Sequence, residues 1–231
     1  MQYFRLILIL FSFSFADTKS ESQEILDALY QDQSWELQKI TEDSLYIYKK
    51  DILEMDLAAF RVNKKVSIDP FEIINIISDI ENYEKFLTSA EALKTEKLNQ
   101  ESGYLDVYQH ITIDLPFFNN RDYFFRMIAN KEALYNNKLI EWYLLDQKII
   151  EKKDLEKKDL EATYLDYGAG LWLSNPSSEN MFDISYRLVM DPGGSIPSIL
   201  VDMINEVSLI SLFNDVLKEA ISRSDKSHED F

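Results

Sequence analysis

Along the last third of the chain, apolar residues recur at three- and four-residue steps. Ile196, Ile199, Leu200, Met203, Ile204, Val207, Ile210, Phe213 and Leu217 share one helical face, while Ser198, Asp202, Asn205, Glu206, Asn214 and Asp215 fall elsewhere on the wheel. Just before this run stands Asp191-Pro192-Gly193-Gly194-Ser195-Ile196-Pro197. Two glycines there let the backbone turn, and a proline suits the first helical turn, where its fixed φ and missing N–H cost nothing. The pattern predicts a long, amphipathic last helix laid as a lid over a curved sheet.

Upstream the period changes. Residues 24–30 suit a short helix with Ile25, Leu26 and Leu29 on one side, and Trp35-Glu36-Leu37 opens a β region. Leu45-Tyr46-Ile47-Tyr48 and Ala59-Phe60-Arg61-Val62 read as a hairpin joined by an acidic turn around Glu54. Asp69-Pro70-Phe71-Glu72 has the logic of a capping box and starts a helix with Ile73, Ile76, Ile77 and Ile80 on its apolar face. Tyr83, Phe86 and Leu87 continue into a second helical piece. Strands follow at about 95–100, 104–113, 123–129, 139–145, 162–173 and 181–190. Gly168 and Gly170 inside a strand suggest a bulge or bend. Glu151-Lys152-Lys153-Asp154-Leu155 is repeated at once as Glu156-Lys157-Lys158-Asp159-Leu160, which reads as a tandem duplication in a solvated hairpin tip. The organisation is α+β: a curved antiparallel sheet, with the helices segregated to one side, gripping the long C-terminal helix. A cavity between such a sheet and its helix is a natural ligand site.

Composition narrows the partners. Residues 1–16 read as a cleaved signal peptide, with Arg5, the apolar run from Leu6 to Phe15, and Ser14-Phe15-Ala16 as the cleavage site; they imply an exported protein, periplasmic or secreted. Residues 17–32 form a polar segment and short helix, 33–222 one domain, and 223–231 a disordered tail. Twenty-four basic and 41 acidic residues give a net charge of −17, which repels nucleic acid and anionic lipid surfaces at long range. Membrane contact is therefore expected to be transient and made by apolar loops or the helix. The absence of cysteine excludes disulfides, thiolate catalysis and cysteine-ligated metals.

Three segments resemble the StAR-related lipid-transfer (START) domains with the helix-grip fold. They are Trp35-Glu36-Leu37 with Leu45-Tyr46-Ile47-Tyr48, Pro116-Phe117-Phe118-Asn119-Asn120-Arg121-Asp122-Tyr123, and Asp191-Pro192-Gly193-Gly194-Ser195-Ile196-Pro197 with the following helix. In this order they span residues 33–220. The resemblance implies a monomeric carrier that holds one lipid or sterol-like molecule in a tunnel under the last helix, for transfer or sensing, with no cofactor and no metal. It places Phe125 and Met127 inward together with Tyr108 and His110. Alternation adds Trp142, Tyr186 and Leu188 from the strands, and the lid adds Ile199, Met203 and Val207. Where the resemblance implies an inward charge on the central strand, the chain has Met127, with Arg126 one residue away. Arg121 and Asp122 suit a bracing role at a corner.

Catalysis finds little support. No Gly-x-Ser-x-Gly elbow, phosphate-cradling glycine loop or histidine-rich metal spacing is present, and the expectation is a protein that is not an enzyme. Tyr108 and His110, with Asp106 or Asp114, leave open a cyclase-like acid–base site, provided that they converge at a cavity's closed end. A non-transporting interaction module, its cavity filled by Phe125, Trp142 and Tyr186, is the third reading.

Overall fold

The computed structural model describes residues 21–52, 57–88, 93–101, 103–113, 118–129, 137–194, 196 and 198–229, with side chains placed for 200–224 of the last helix. The leader at 1–16, the turn at Glu54, Pro116-Phe117, Ser195, Pro197 and the side chain of Ile199 lie outside the described residues. The chain runs α1 (Glu21–Tyr30), β1 (Glu36–Ile40), β2 (Tyr46–Asp51), β3 (Ala58–Val66), α2 (Pro70–Ser78), a 3-10 turn (Ile80–Asn82) and α3 (Tyr83–Phe86). It continues with β4 (Leu93–Glu101), β5 (Tyr104–Ile111), β6 (Arg121–Ala129), β7 (Lys138–Leu144), α4 (Lys152–Leu155), β8 (Thr163–Tyr164), β9 (Gly168–Ser178), β10 (Met181–Met190) and α5 (Ser198–Glu229).

The strands form one sheet in the order β1-β2-β3-β10-β9-β7-β6-β5-β4. The last strand, β10, therefore lies against β3, so that the first hairpin is zipped onto the end of the chain. Neighbours along this path pair antiparallel, and the two-residue β8 adds a parallel bridge to β6 through Arg121 opposite Thr163 and Asp122 opposite Tyr164.

Three layers result. On the concave face, Ile73, Ile76 and Ile77 of α2 and Leu209, Phe213, Val216, Leu217 and Ala220 of α5 share one core with the inner residues of the sheet. The α2 start is fixed as the sequence predicts, with Asp69 accepting from the Phe71 N–H at 2.9 Å and Pro70 in the first turn.

The convex face is covered too, which corrects the expectation of helices on one side only. Ile25, Leu26 and Leu29 of α1 pack on Ala59, Ala169, Leu171, Leu173 and Val189. The open carbonyls at the end of α1 carry partial negative charge and need donors. Lys50 supplies one to Ala28 O at 2.9 Å, and Arg187 one to Leu29 O at 2.6 Å. Trp35 stands beside them, with Lys50, Arg61 and Arg187 within 5.0–5.6 Å of its ring.

Other expectations change as well. The strand expected over 162–173 is two elements, β8 and β9, on different neighbours. The glycines of β9 mark close approach rather than a bulge: a Cβ on Gly170 would stand 2.4 Å from Trp142 Nε1, and the register of β9 against β10 is regular there. The last helix runs on to Glu229, through positions where a tail was expected from 223. The duplicated segment is not a free tip; its second copy is fastened to the sheet, as described next.

Candidate functional site

The concave face supplies a lining of large apolar side chains. Phe125 and Met127 of β6, Trp142 of β7, and Tyr186 and Leu188 of β10 are all buried there, in the core that the sheet shares with α2 and α5. Trp172 of β9, which the sequence reading passed over, lies in the centre. It stacks on Tyr186 with ring centres 4.4 Å apart and on Phe213 of α5 at 5.6 Å. This three-ring stack ties the middle of the helix to the middle of the sheet.

Polar tips in this interior come from residues other than those expected. The Tyr123 hydroxyl donates to Gln109 Oε1 at 2.6 Å, and that of Tyr83 donates to the Ile77 carbonyl. Trp142 hydrogen-bonds Tyr186. Burial pushes the Tyr83, Tyr123 and Tyr186 hydroxyls well above the usual tyrosine pKa, so they stay neutral donors. An inward placement of Tyr108 and His110 hides Gln109, because a shift of one residue in a strand exchanges its faces. Val107 opposite Phe125 belongs to the core under the helix.

Tyr108 and His110 thus lie on the other face of the sheet, a correction to the inward placement. Tyr108 clusters with Phe124 and Leu145, and both polar groups converge on Asp122, which is fully buried. His110 Nδ1 lies 2.6 Å from Asp122 Oδ1, the Tyr108 hydroxyl lies 3.1 Å from the same oxygen, and the Asp159 N–H donates to Oδ2 at 2.6 Å. The second repeat copy therefore closes over the pair, aided by Lys157 on Glu96 and by Asn120 on Asp159. Next to Asp122, Arg121 points the other way and donates to Pro192 O at 2.6 Å and Gly193 O at 3.4 Å. The Asn-Arg-Asp segment and the Asp-Pro-Gly-Gly segment, far apart in sequence, meet here. Gly193, at φ 68°, takes a left-handed turn with Thr163 and Leu165 close by. Arg126 also faces outward, in a two-pronged pair with Asp106 at 2.7 and 2.8 Å.

The lid helix is seated differently along its length. Beyond Leu209 its inner residues are fully buried. In its first turns, Val201 and Asn205 face inward, with Asn205 donating to Met190 O at 2.9 Å. Met203 and Val207, expected inward, are 55% and 57% exposed. The wheel is rotated because the buried line runs through 201, 205, 209, 213 and 217, and a buried asparagine with a carbonyl partner fits that line as well as an apolar residue does.

Met203 and Val207 instead line a groove of about 430 Å³ between these first turns and the inner face of the β1–β3 hairpins, together with Gln38, Lys39, Lys49, Phe60, Asp202 and Glu206. Two ion pairs cross it, Lys49 to Asp202 at 2.7 Å and Lys39 to Glu206. The hydrogen bond to Asp202 holds the Lys49 ammonium pKa above its ordinary value. The groove has the size of a small ligand pocket and opens beside the core under the helix, with Phe60 belonging to both. Among the described residues no group of acidic or histidine side chains could hold a metal ion, and no helix is long and apolar enough to cross a membrane.

No protein-family model and no curated protein sequence matches the chain. Solved structures do. Human StAR-related lipid transfer protein 5 aligns with a TM-score of 0.68 at 9% identity, covering 89% of this chain and 94% of that one. A StAR-related lipid transfer protein fragment from Xanthomonas axonopodis aligns with a TM-score of 0.64 at 16% identity, covering 81% and 98%. The Zhui aromatase/cyclase from Streptomyces sp. R1128 aligns with a TM-score of 0.54 at 14% identity, covering 73% and 96%. Identities this low speak for architecture and not for chemistry. The chain therefore has the START-like helix-grip fold, an open antiparallel sheet closed around a long C-terminal helix.

Proposed function

We propose that the protein is a non-catalytic carrier or sensor that holds one lipid or sterol-like molecule between its sheet and α5. The observation that carries this reading is the uneven seating of that helix. Its later turns are locked by the Trp172–Phe213 stack and a continuous core, while among the described residues its first turns are seated by Val201, two ion pairs, one asparagine bond and a half-open groove. Partly exposed ion pairs are each worth only about 0.2–1 kcal/mol, so this end of the helix is the part that can lift. It serves as the gate.

The energetics suit a carrier. A sixteen-carbon tail gains on the order of 13 kcal/mol on leaving water, at about 0.8 kcal/mol per CH₂. It gains little on moving from bilayer to protein, since both are apolar, so the protein's work is to shield the tail across water. The solved structures of this fold include proteins named for lipid transfer, which supports the reading. In the proposed setting the leader is removed after Ala16 and the protein meets membranes briefly as a monomer outside the cytoplasm; a mature N-terminus at Asp17 is the check.

A filled interaction module is the second reading, favoured by the way Tyr186, Trp172 and Phe213 occupy the space under the helix. A cyclase-like reading rests on the fold alone, since the His110–Asp122–Tyr108 group lies outside the grip.

The test is a locked gate. With no native cysteine, Lys49→Cys with Asp202→Cys can be bridged by a short bifunctional maleimide. The bridged protein is expected to show at least tenfold less uptake and vesicle-to-vesicle transfer of a fluorescent phospholipid than the same double variant left unbridged. Equal uptake by both would overturn the gate, and no uptake by either or by the unaltered protein would overturn the carrier.

A further inference from the structure

The groove beside the gate has a charge pattern that selects a kind of head group. Its helix side shows Asp202 and Glu206, one turn apart, with Met203 and Val207 alongside. Its sheet side shows Lys39, Lys49 and the ring of Phe60. Lys49 stands opposite Phe60 in the β2–β3 register, and Lys39 opposite Ile47 in the β1–β2 register, so both lysines share the face that looks at the helix. The rim therefore carries two cations on one wall and two anions on the other, paired across the gap. In a chain of net charge −17, this balance is local and specific.

We propose that this groove receives the head of a zwitterionic amphiphile, with its anionic group between Lys39 and Lys49 and its cationic group against Asp202 and Glu206. The assignment rests on the carrier reading and names its ligand class. A head that gives no counter-charge to one partner of each pair forfeits that pair, worth about 0.2–1 kcal/mol at this exposure, and sets its own charge against the like charges of the opposite wall. A purely anionic head would take the lysines and strand two carboxylates that repel it. A purely cationic head would strand the lysines. A neutral head would leave both ion pairs in place across the groove. Only a head carrying both signs gives each wall a counter-charge, its anionic group shared by the two lysines and its cationic group by the two carboxylates. The exposed flanks of Met203 and Val207 and the Phe60 ring then meet the first carbons of the chains. At about 430 Å³ the groove lies toward the small end of ligand pockets, which run from about 300 to 1,000 Å³, and so takes a head and the start of its tails. The same exchange releases the first turns of α5 from the sheet, so recognising the head and opening the gate are one event.

The experiment uses the purified chain and three short-chain lipids with identical tails, dihexanoyl-phosphatidylcholine, dihexanoyl-phosphatidylglycerol and dihexanoylglycerol, followed by tryptophan fluorescence and by native mass spectrometry. The zwitterionic lipid is expected to bind at least tenfold more tightly than either of the others. Lys49→Ala and Asp202→Asn, each confirmed folded by circular dichroism, are expected to bring that preference down to within about threefold. Equal affinity for all three lipids, or a preference unmoved by the two variants, would overturn the head-group site while leaving the carrier standing. Binding of none of them, together with no lipid recovered from the cells, would overturn both.

Discussion

Asp122 shows how much one carboxylate can organise. It receives His110, Tyr108 and the backbone of Asp159, so it joins β5, β6 and the duplicated segment at a place water does not reach. Hydrogen bonds to charged groups contribute about 1.5–3 kcal/mol each. Asp122→Asn is expected to lower the unfolding free energy by about 2–3 kcal/mol in urea titrations at pH 7. It should also expose the 151–160 segment to proteolysis; a change under about 0.5 kcal/mol with an intact segment would deny this role. Gly170 is a second single-residue constraint. A methyl group there collides with the Trp142 indole at 2.4 Å, and overpacking of a closed core costs about 1–3 kcal/mol. Gly170→Ala should show that loss together with a shifted tryptophan emission spectrum, since the ring that must move lines the inner face.

At the scale of elements, α5 is two devices in one helix, an anchor after Leu209 and a gate before it. The anchor is reinforced at its far end, where Arg223 reaches Asp79 of the α2–α3 turn at 2.8 Å and Glu219 at 2.7 Å. Burial alone would raise the Asp79 pKa, but hydrogen bonds from Asn82 and Arg223 outweigh it and hold the carboxyl below its ordinary 3.8. A folded pKa below the unfolded one means that stabilisation is fully present above about pH 4 and is lost as pH falls through the lower folded value. Asp79→Asn should therefore cost about 0.5–1 kcal/mol at pH 7 and progressively less as the pH falls below 4 and the carboxyl of the unaltered protein takes up its proton. A deficit that stays constant over this range would show that the loss is packing and not charge. The β5–β6 pair makes a further point about elements: it places one cluster on each side of the sheet, so its outer groups can brace a loop while its inner groups line the grip.

For the whole molecule, the architecture was readable from a few strong local signals. The alternation of β10, the cap at Asp69-Pro70 and the long terminal period each acts over a few residues and leaves a mark in sequence. What was not readable depends on contacts between distant segments. Which face of β5 looks inward follows from its register against β6, and Tyr108, His110 and Gln109 are all compatible with either side until Phe124 and Phe125 are placed. The rotation of α5 that exposes Met203 and Val207 is set by Asn205 finding the Met190 carbonyl and by Phe213 finding Trp172. The break between β8 and β9 reflects a short parallel bridge that no periodicity encodes. The ion pairs at the gate join residues more than 150 positions apart, and each partner alone reads as an ordinary surface charge.

The central claim is that an apolar molecule sits between sheet and lid, and native mass spectrometry of the protein purified from its own cells, followed by organic extraction, tests it most directly. One lipid per chain is the predicted result. A bare polypeptide mass that also stays bare after incubation with phospholipid and sterol vesicles would contradict the account and leave the filled interaction module in its place.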